Sequence, residues 1–252
     1  MILRSFPSSE LIARTAAQTF QEVVDTARRE HRRATVALAG GSTPRLLYRL
    51  IAEELRTAID WRHVEIFFGD ERAVPRDHAD SNFRMARETL LDRVPLPSMQ
   101  IHPMDGGADD LSAAAEEYER ILRERCRTGT GAFPAFDLLW LGMGDDGHTA
   151  SLFPGTRALD ETRASVVAND VPQLDTRRLT ITFPVIAAAR HVQFLVSGRG
   201  KAPKVAKVVE LSATTIDRLP ADAPPAARAR PTSGILEWLV DEDAASDIER
   251  GA

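Results

Sequence analysis

Short apolar runs alternate along this chain with longer segments in which apolar residues recur at helical spacing. The runs are rich in β-branched and aromatic residues and predict buried strands at 34–39, 64–68, 136–141, 179–183, 191–196 and 235–240. The periodic segments predict helices at 10–30, 46–55, 79–91, 110–127 and 205–211, with a short helical turn at 186–189. A Pro- and Ala-rich segment at 212–231 predicts an irregular surface connection, and the acidic tail from Asp241 is expected to be helical or frayed.

The order of these elements predicts the fold class. Strands that alternate with helices form parallel sheets covered on both faces. We therefore expect an α/β fold with a doubly wound, mostly parallel sheet in a Rossmann-like, three-layer αβα arrangement, formed by residues 1–252 as a single domain. Such sheets bind ligands beyond the carboxyl ends of their strands. Small or chemically active residues follow four strands, at 40–44, 69–72, 142–148 and 198–201, and we expect these segments to share one rim.

Charge and composition narrow the classes of protein that fit. A formal net charge of −5 argues against nucleic acid as a partner. No apolar run approaches the roughly 20 residues of a membrane span and no leader pattern opens the chain, so we expect a cytoplasmic protein without membrane contact. The single cysteine, Cys126, cannot form an intrachain disulfide, and the six histidines lack zinc-type spacing. We expect a monomer with no metal and no cofactor.

The segment Gly40-Gly41-Ser42-Thr43-Pro44 joins a predicted strand to a predicted helix. Ser42 or Thr43 can cap the helix, and Pro44 suits its first position. Free backbone N–H groups and the positive end of the helix dipole would then face the rim and could bind a phosphate. The alternative is a strand–helix turn that merely needs glycine. The segment matches neither the Walker loop nor the dinucleotide glycine motif.

Two cations at the same rim could grip a phosphate. The guanidinium of Arg72 follows two acids at a strand end and can bind phosphate with two hydrogen bonds. Its alternative role is a salt bridge to Asp70 or Glu71. Lys201 could supply a second cation, and its alternative role is an exposed lysine at a helix start.

His148 is the candidate general base. It follows Gly-Asp-Asp-Gly at the end of the strand at 136–141, and the glycines let the backbone bend tightly and approach a ligand. Histidine suits proton transfer near neutral pH, although a lone histidine is more often structural. Asp145 and Asp146 would favour the charged imidazolium, whereas nearby cations would favour the neutral ring that a base requires.

These motifs together resemble the family of 6-phosphogluconolactonases and glucosamine-6-phosphate deaminase-like proteins. The matching stretches are 40–44, 70–75 with Ser81-Asn82, 141–155, 178–184 and 198–201, with Trp238 and Asp241 near the end. The resemblance covers nearly the whole chain. Ala39 departs from it, since serine is frequent there.

The resemblance implies hydrolysis of 6-phospho-D-glucono-1,5-lactone to 6-phosphogluconate in the oxidative pentose phosphate pathway, without a metal. The phosphorylated sugar lactone would dock on Gly40, Gly41, Ser42 and Thr43, with Arg72 and Lys201 as counter-charges. His148 would activate water, alone or paired with Asp146, and backbone N–H groups of the turn at 142–147, which includes Gly144, would bind the oxyanion. Arg178 either contacts the substrate or lies at the surface.

Two rival functions remain. The first is an amino-sugar-phosphate isomerase or deaminase. Deaminase-like members place an acid just before the Pro-Gly and tend to carry an aromatic residue at the position of Arg72, whereas this chain has Phe153 and Arg72 at these positions. The second is a non-catalytic sugar-phosphate sensor, but no helix-turn-helix or basic segment is present. Both comparisons favour the lactonase.

Overall fold

The computed structural model describes residues 1–248. Its strands are β1 (Ile2–Phe6), β2 (Ala34–Leu38), β3 (Val64–Phe68), β4 (Asp70–Arg72), β5 (Arg127–Thr128), β6 (Pro134–Ala135), β7 (Leu138–Leu141), β8 (Val166–Val171), β9 (Thr176–Ile181), β10 (His191–Val196) and β11 (Ile235–Asp241). Its α-helices are α1 (Ser9–Arg29), α2 (Ser42–Glu54), α3 (Asn82–Thr89), α4 (Leu111–Arg125), α5 (Phe183–Ala188), α6 (Ala202–Glu210) and α7 (Pro225–Arg228). None of the helices in this range is long and apolar enough to cross a membrane.

A six-stranded parallel sheet organises the fold, in the order β1-β11-β10-β7-β2-β3. From β1 at one edge the chain crosses the sheet to β2 and steps outward to β3 at the other edge. It then returns to β7 and steps the other way through β10 to β11, which pairs with β1. Because crossovers between parallel strands are right-handed, α1 and α2 cover one face and the connections after β3 cover the other. The predicted doubly wound α/β fold is confirmed.

The core forms where the apolar stripes of the helices meet the sheet. Helix α1 buries Ile12, Ala16 and Phe20, as its helical periodicity predicts. Phe20 packs against Trp140 of β7, with ring centroids 5.8 Å apart. Burial of an Ile or Phe side chain contributes roughly 1.5–3 kcal/mol by removing it from water. The central strands are buried on both faces, which explains their short, continuous apolar runs.

The analysis of the sequence missed several strands outside the centre of the main sheet, of which β1 and β8 are the longest. Strand β1 lies at the edge of the sheet with several exposed side chains, so its sequence lacks the apolar signal of a core strand. Strands β8 and β9 form an antiparallel hairpin in a separate three-stranded sheet with β4. The predicted strand at 179–183 is in fact the second half of β9, which ends at Ile181, and Pro184 lies in the first turn of α5.

Other boundaries shift for local reasons. Helix α3 begins later than the predicted 79–91 because Ser81 caps it, its hydroxyl accepting from the N–H of Arg84 at 3.1 Å. The segment at 212–231 is largely irregular, as predicted, although α7 is packed within it. The tail forms turns at 242–247 rather than a helix, and its last part, 249–252, lies outside the described residues.

Candidate active site

An open pocket of about 370 Å³ lies beyond the carboxyl ends of β2, β7 and β10. We call it the rim pocket. Its lining includes Gly40, Gly41, Ser42, Thr43, Arg72, Gly144, His148, Arg178 and Lys201. The predicted convergence of four strand ends on one rim is confirmed. The pocket lies where the chain reverses its stepping direction between β2 and β7, the point at which doubly wound sheets bind ligands.

The turn after β2 is shaped by two glycines. Gly41 has a φ of 109°, in the region that favours glycine, and α2 begins directly after it. A Cβ at Gly40 would lie 2.0 Å from Oδ1 of Asn82, so only glycine lets these segments meet. The phenol of Tyr48 holds the turn, accepting from the N–H of Ala39 and donating to its carbonyl.

The predicted side-chain cap of α2 is wrong. Gly41 occupies the N-cap position, and neither Ser42 nor Thr43 caps the helix, since both lie inside it. The hydroxyl of Thr43 instead lies 2.7 Å from that of Ser197, which joins the turn after β2 to the turn after β10. The first N–H groups of a helix have no intrahelical acceptor, so this end of α2 offers donors to an anion.

The turn after β10 positions Lys201. Gly198 has a φ of 99°, and its N–H donates to both carboxylate oxygens of Asp241, at 3.0 and 3.1 Å. One short helical turn follows and places Lys201 at the pocket. Its Nζ lies 2.6 Å from Oδ1 of Asp145, with a quarter of the side chain exposed. The alternative of an exposed lysine at a helix start is wrong in its exposure, because most of the side chain is buried.

Arg72 and Arg178 lie side by side at the pocket wall. They are register partners on the antiparallel strands β4 and β9. Burial, reinforced by the neighbouring charge of Arg72, lowers the pKa of Arg178. Two adjacent guanidiniums that face one cavity favour an anionic ligand. The structure therefore places Arg178 in the lining of the rim pocket. The sequence had left open whether it contacts the substrate or lies at the surface.

The alternative role for Arg72, a salt bridge to Asp70 or Glu71, is wrong. Its guanidinium donates to the carbonyl of Asp80. The carboxylate of Glu71 accepts from the backbone N–H groups of Arg72, Asn82 and Phe83 at 2.7–2.8 Å. Burial nevertheless raises the pKa of Glu71. Glu71 thus ties β4 to the start of α3 and leaves the Arg72 side chain at the pocket.

A tight turn after β7 carries His148. The N–H of Gly144 donates to the carbonyl of His148 at 2.9 Å, and the N–H of Gly147 donates back to the carbonyl of Gly144 at 3.0 Å. Gly147 has a φ of 86°, which favours glycine. A Cβ at Gly144 would lie 2.1 Å from Nδ1 of His148, so the imidazole rests directly on this glycine.

Asp146 orients the imidazole. Its Oδ1 lies 2.6 Å from Nδ1 of His148 and also accepts the backbone N–H of that residue at 3.0 Å. Partial burial would raise the pKa of Asp146, but the hydrogen bonds and charge of His148 outweigh it and lower that pKa. An ionised carboxylate only accepts, so Nδ1 carries the proton and the neutral ring has its lone pair on Nε2. Asp146 itself is not part of the pocket lining.

Phe153 covers one face of the imidazole. The two ring centroids are 3.9 Å apart with an interplanar angle of 25°. The side chain is buried and lines the pocket. It therefore restrains His148 by packing, a contact that the sequence analysis, which used Phe153 only as a position without an acid, did not predict.

A buried polar group at the pocket floor was also missed. Asp70, Asn82 and Ser151 all line the pocket and are at most 9% exposed. The carboxylate of Asp70 accepts from the hydroxyl of Ser151 at 2.7 Å and from the amide of Asn82 at 3.2 Å. Asp70 directly follows a strand-ending glycine, which is the signal that could have identified it.

The described residues offer no ready metal centre. Within 1–248, no three side chains of His, Cys, Asp or Glu are grouped so that they could hold one ion. Cys126 is buried, and burial raises the pKa of its thiol. Metal-independent activity stays a prediction, which a chelator tests.

Comparisons with known proteins agree with this geometry. Residues 7–238 match the family model described as glucosamine-6-phosphate isomerases/6-phosphogluconolactonase. The chain is 43% identical over 220 residues to a 6-phosphogluconolactonase from Synechocystis sp., a match that covers 87% of this chain and 86% of the relative. It is 38% identical over 248 residues to a 6-phosphogluconolactonase from Mycobacterium tuberculosis, with 96% of each chain covered.

A solved structure gives the same result. The 6-phosphogluconolactonase from Trypanosoma brucei superposes with a TM-score of 0.84 at 30% identity, and 97% of each chain is covered. The family match and the relatives span the β2, β7 and β10 turns that form the rim pocket. The chain belongs to the glucosamine-6-phosphate isomerase/6-phosphogluconolactonase family.

Proposed function

We propose that this protein hydrolyses 6-phospho-D-glucono-1,5-lactone to 6-phosphogluconate, the lactonase step of the oxidative pentose phosphate pathway. One observation carries the proposal: a histidine held by a carboxylate shares a pocket with two guanidiniums and a lysine. The relatives named 6-phosphogluconolactonase support it. The pocket volume of about 370 Å³ falls in the range of small-molecule sites.

The phosphate end of the substrate would bind at the cationic side of the pocket. The start of α2 supplies backbone donors, and Arg72, Arg178 and Lys201 supply charge. Lys201 is held by Asp145 before the ligand arrives, so a phosphate would compete with that carboxylate. Anchoring the phosphate would set the lactone carbonyl near His148.

His148 would then act as general base. Neutral imidazole would take a proton at Nε2 from water, which attacks the lactone carbonyl, and the imidazolium would return the proton to the departing ring oxygen. The N–H groups of Gly144 and Gly147 already donate within the turn. We therefore propose that the N–H groups of Gly142 and Met143, which line the pocket, stabilise the oxyanion.

The rival deaminase reaction has less support. In deaminase-like members an acid before the Pro-Gly partners the histidine, whereas Phe153 occupies this position here and stacks on the ring. Phenylalanine does not titrate, so it cannot take part in proton transfer.

The first test is a lactonase assay on freshly generated substrate, with spontaneous hydrolysis subtracted. We expect wild-type acceleration and a loss of ~10²–10⁴-fold in kcat for His148→Ala. The matched control is His78→Ala, which removes an exposed histidine outside the pocket lining and should retain wild-type rates. No wild-type acceleration, together with ammonia release from glucosamine 6-phosphate, would assign the deaminase reaction instead.

A monomeric state, a cytoplasmic location and a single domain over 1–252 are part of the same proposal. They rest on the pattern and charge of the sequence. Light scattering on the purified chain tests the first, and a mass of two or more chains would overturn it.

A further inference from the structure

A second cavity, of about 610 Å³, opens at the other end of the sheet. We call it the arginine cavity, and its lining consists of His31, Arg32, Arg33, Thr35, Arg62, His63, Glu65, Arg125, Arg127 and Asp137. These residues flank the amino ends of β2, β3 and β7, opposite the rim pocket. A five-residue strand such as β2 spans about 16 Å, so the two cavities are separate sites.

The arginine cavity is cationic on an acidic protein. Five arginines but only two acidic side chains line it, while the whole chain has a formal charge of −5. Like charges gathered at one surface repel one another and raise the local concentration of anions. Such a cluster of like charges is unfavourable unless ion pairs within the protein or a bound anion compensates it.

Ion pairs and hydrogen bonds within the protein compensate only some of these arginines. The buried carboxylate of Asp137 accepts from Nη1 of Arg32 at 2.6 Å and from the N–H of Thr35 at 2.9 Å. The buried carboxylate of Glu65 lies 2.8 Å from Nε2 of His102. Each buried acid therefore has a close partner already.

Two ion pairs lie at the edge of the cavity. Asp60 lies 2.8 Å from Nη2 of Arg62, and these hydrogen bonds lower the pKa of Asp60 to about 2. Glu30 lies 2.6 Å from Nε of Arg32, whose hydrogen bond lowers the pKa of Glu30. Arg32 and Arg62 are thus paired within the protein.

Three guanidiniums are left without a close carboxylate. Nη1 of Arg33 and Nη1 of Arg125 lie 4.0 and 3.9 Å from the same Glu65 side chain, beyond hydrogen-bond reach. Both side chains are almost half exposed. Arg127 has no acidic side chain within 4.0 Å in the described range 1–248. These three arginines come from two stretches of the chain, Arg33 from the segment after α1, and Arg125 and Arg127 from the end of α4 and the start of β5.

We propose that the arginine cavity binds a small molecule that carries two or more phosphate groups. A guanidinium fork matches a phosphate with two parallel hydrogen bonds, and Arg33, Arg125 and Arg127 together offer more forks than one phosphate occupies. The lining contains no tryptophan, tyrosine or phenylalanine, so recognition runs through charge rather than stacking on a base. This site does not depend on the proposed lactonase activity.

Isothermal titration of the full chain with inorganic tripolyphosphate tests the proposal. Three proteins are compared: the wild type, Arg33→Ala/Arg127→Ala, and the control Arg120→Ala/Arg123→Ala. The control removes two exposed arginines from the outer face of α4, outside the cavity, and changes the net charge equally. We expect binding to weaken by about tenfold or more in the cavity variant and by less than about twofold in the control.

Further arms separate the outcomes. Inorganic phosphate should bind the wild type at least about tenfold more weakly than tripolyphosphate, because it occupies one fork. Arg72→Ala should leave the cavity event in place, since Arg72 lies in the rim pocket. Equal weakening in cavity and control variants, or unchanged binding in the cavity variant, would overturn the proposal. So would a wild type that binds no tripolyphosphate. Thermal unfolding followed by circular dichroism checks that both variants fold.

Discussion

The turns at the carboxyl end of the sheet are of two kinds. After β2 and β10, a glycine with positive φ leads the chain into a helical turn, at Gly41 and Gly198. After β7, the chain instead closes on itself between Gly144 and His148. The first kind presents the backbone donors of α2 and the cation of Lys201, and the second presents His148. A parallel sheet thus builds an anion site and a proton-transfer group at one rim by changing only how the strand ends.

The two kinds of turn are also connected. Lys201 of the β10 turn is held by Asp145 of the β7 turn, and Thr43 of the β2 turn contacts Ser197 of the β10 turn. A ligand that draws Lys201 away from Asp145 would therefore alter the charge beside His148. Substitutions in the β7 turn should therefore lower kcat, whereas substitutions of the cations that line the pocket should raise KM. The following predictions test this division.

Among the variants that keep His148 itself, the largest effect is expected from Gly144→Ala. The new methyl group would lie 2.1 Å from Nδ1 of His148 and must push the ring from its place. A displacement of this size costs about 10²-fold in kcat when a reacting group is misaligned. Steady-state kinetics of the lactonase reaction measures it.

Gly142→Ala is the matched control for folding only, because Gly142 itself lines the rim pocket. A Cβ at Gly142 meets no heavy atom within 4 Å, and it lies in the same turn. It should therefore fold as the wild type and keep His148 in place. A fall in the midpoint of thermal unfolding shared by both variants would show that the turn tolerates no added methyl, whatever its direction.

Arg72→Ala should act mainly on binding. Loss of its charge-assisted hydrogen bonds to a phosphate should raise KM by about 10- to 100-fold, with a smaller change in kcat. Arg76→Ala is the control, because Arg76 is half exposed and lies outside the rim pocket. Its nearest carboxylate, that of Asp105, is 4.0 Å away, so the side chain makes no close ion pair that the substitution would break. A fall in kcat at unchanged KM for Arg72→Ala would instead place Arg72 in the chemical step.

Asp146→Asn should have a smaller effect on catalysis. The amide oxygen can still accept from Nδ1 of His148, but the hydrogen bond loses its charge assistance. We expect kcat to fall about tenfold with little change in KM. An unchanged kcat would mean that His148 acts without this carboxylate, the alternative that the sequence left open.

The smallest effect concerns stability and pH. The folded-state pKa of Asp146 lies below its ordinary value of 3.8, so its ionised form is favoured in the folded state. This contribution is fully present above the unfolded-state pKa and is lost as pH falls through the folded-state pKa. Urea unfolding of wild type and Asp146→Asn should show a difference at neutral pH that shrinks in acid. A difference that grows in acid would contradict this sign.

The fold was predictable where burial dictated the residues. Strands β2, β3, β7 and β10 are buried on both faces, so their apolar runs stand out between polar segments. The edge strand β1, the strand β8 and the first half of β9 carry polar residues along their lengths, and no pattern distinguishes them from loops. The missed hairpin matters most, because β9 is the strand that brings Arg178 beside Arg72.

The candidate site was predictable to a similar degree. Strand-end glycines and charged residues identified the rim, because parallel strands end together. The partners of those residues were not predictable. Arg72 directly follows Asp70 and Glu71 in the sequence, yet it pairs with neither. The carboxylate of Glu71 accepts from backbone N–H groups at the start of α3, and that of Asp70 accepts from the Ser151 hydroxyl.

The sequence by itself determined the α/β class, the rim where four strand ends meet, and the glycines, cations and histidine that line it. These follow from local patterns, since burial and glycine use act on neighbouring residues. Only the tertiary structure decided that Phe153 stacks on His148, that Lys201 is held by Asp145, and that arginines from three segments form a second cavity. Contacts between residues far apart in the chain depend on how the elements pack, which no local pattern records.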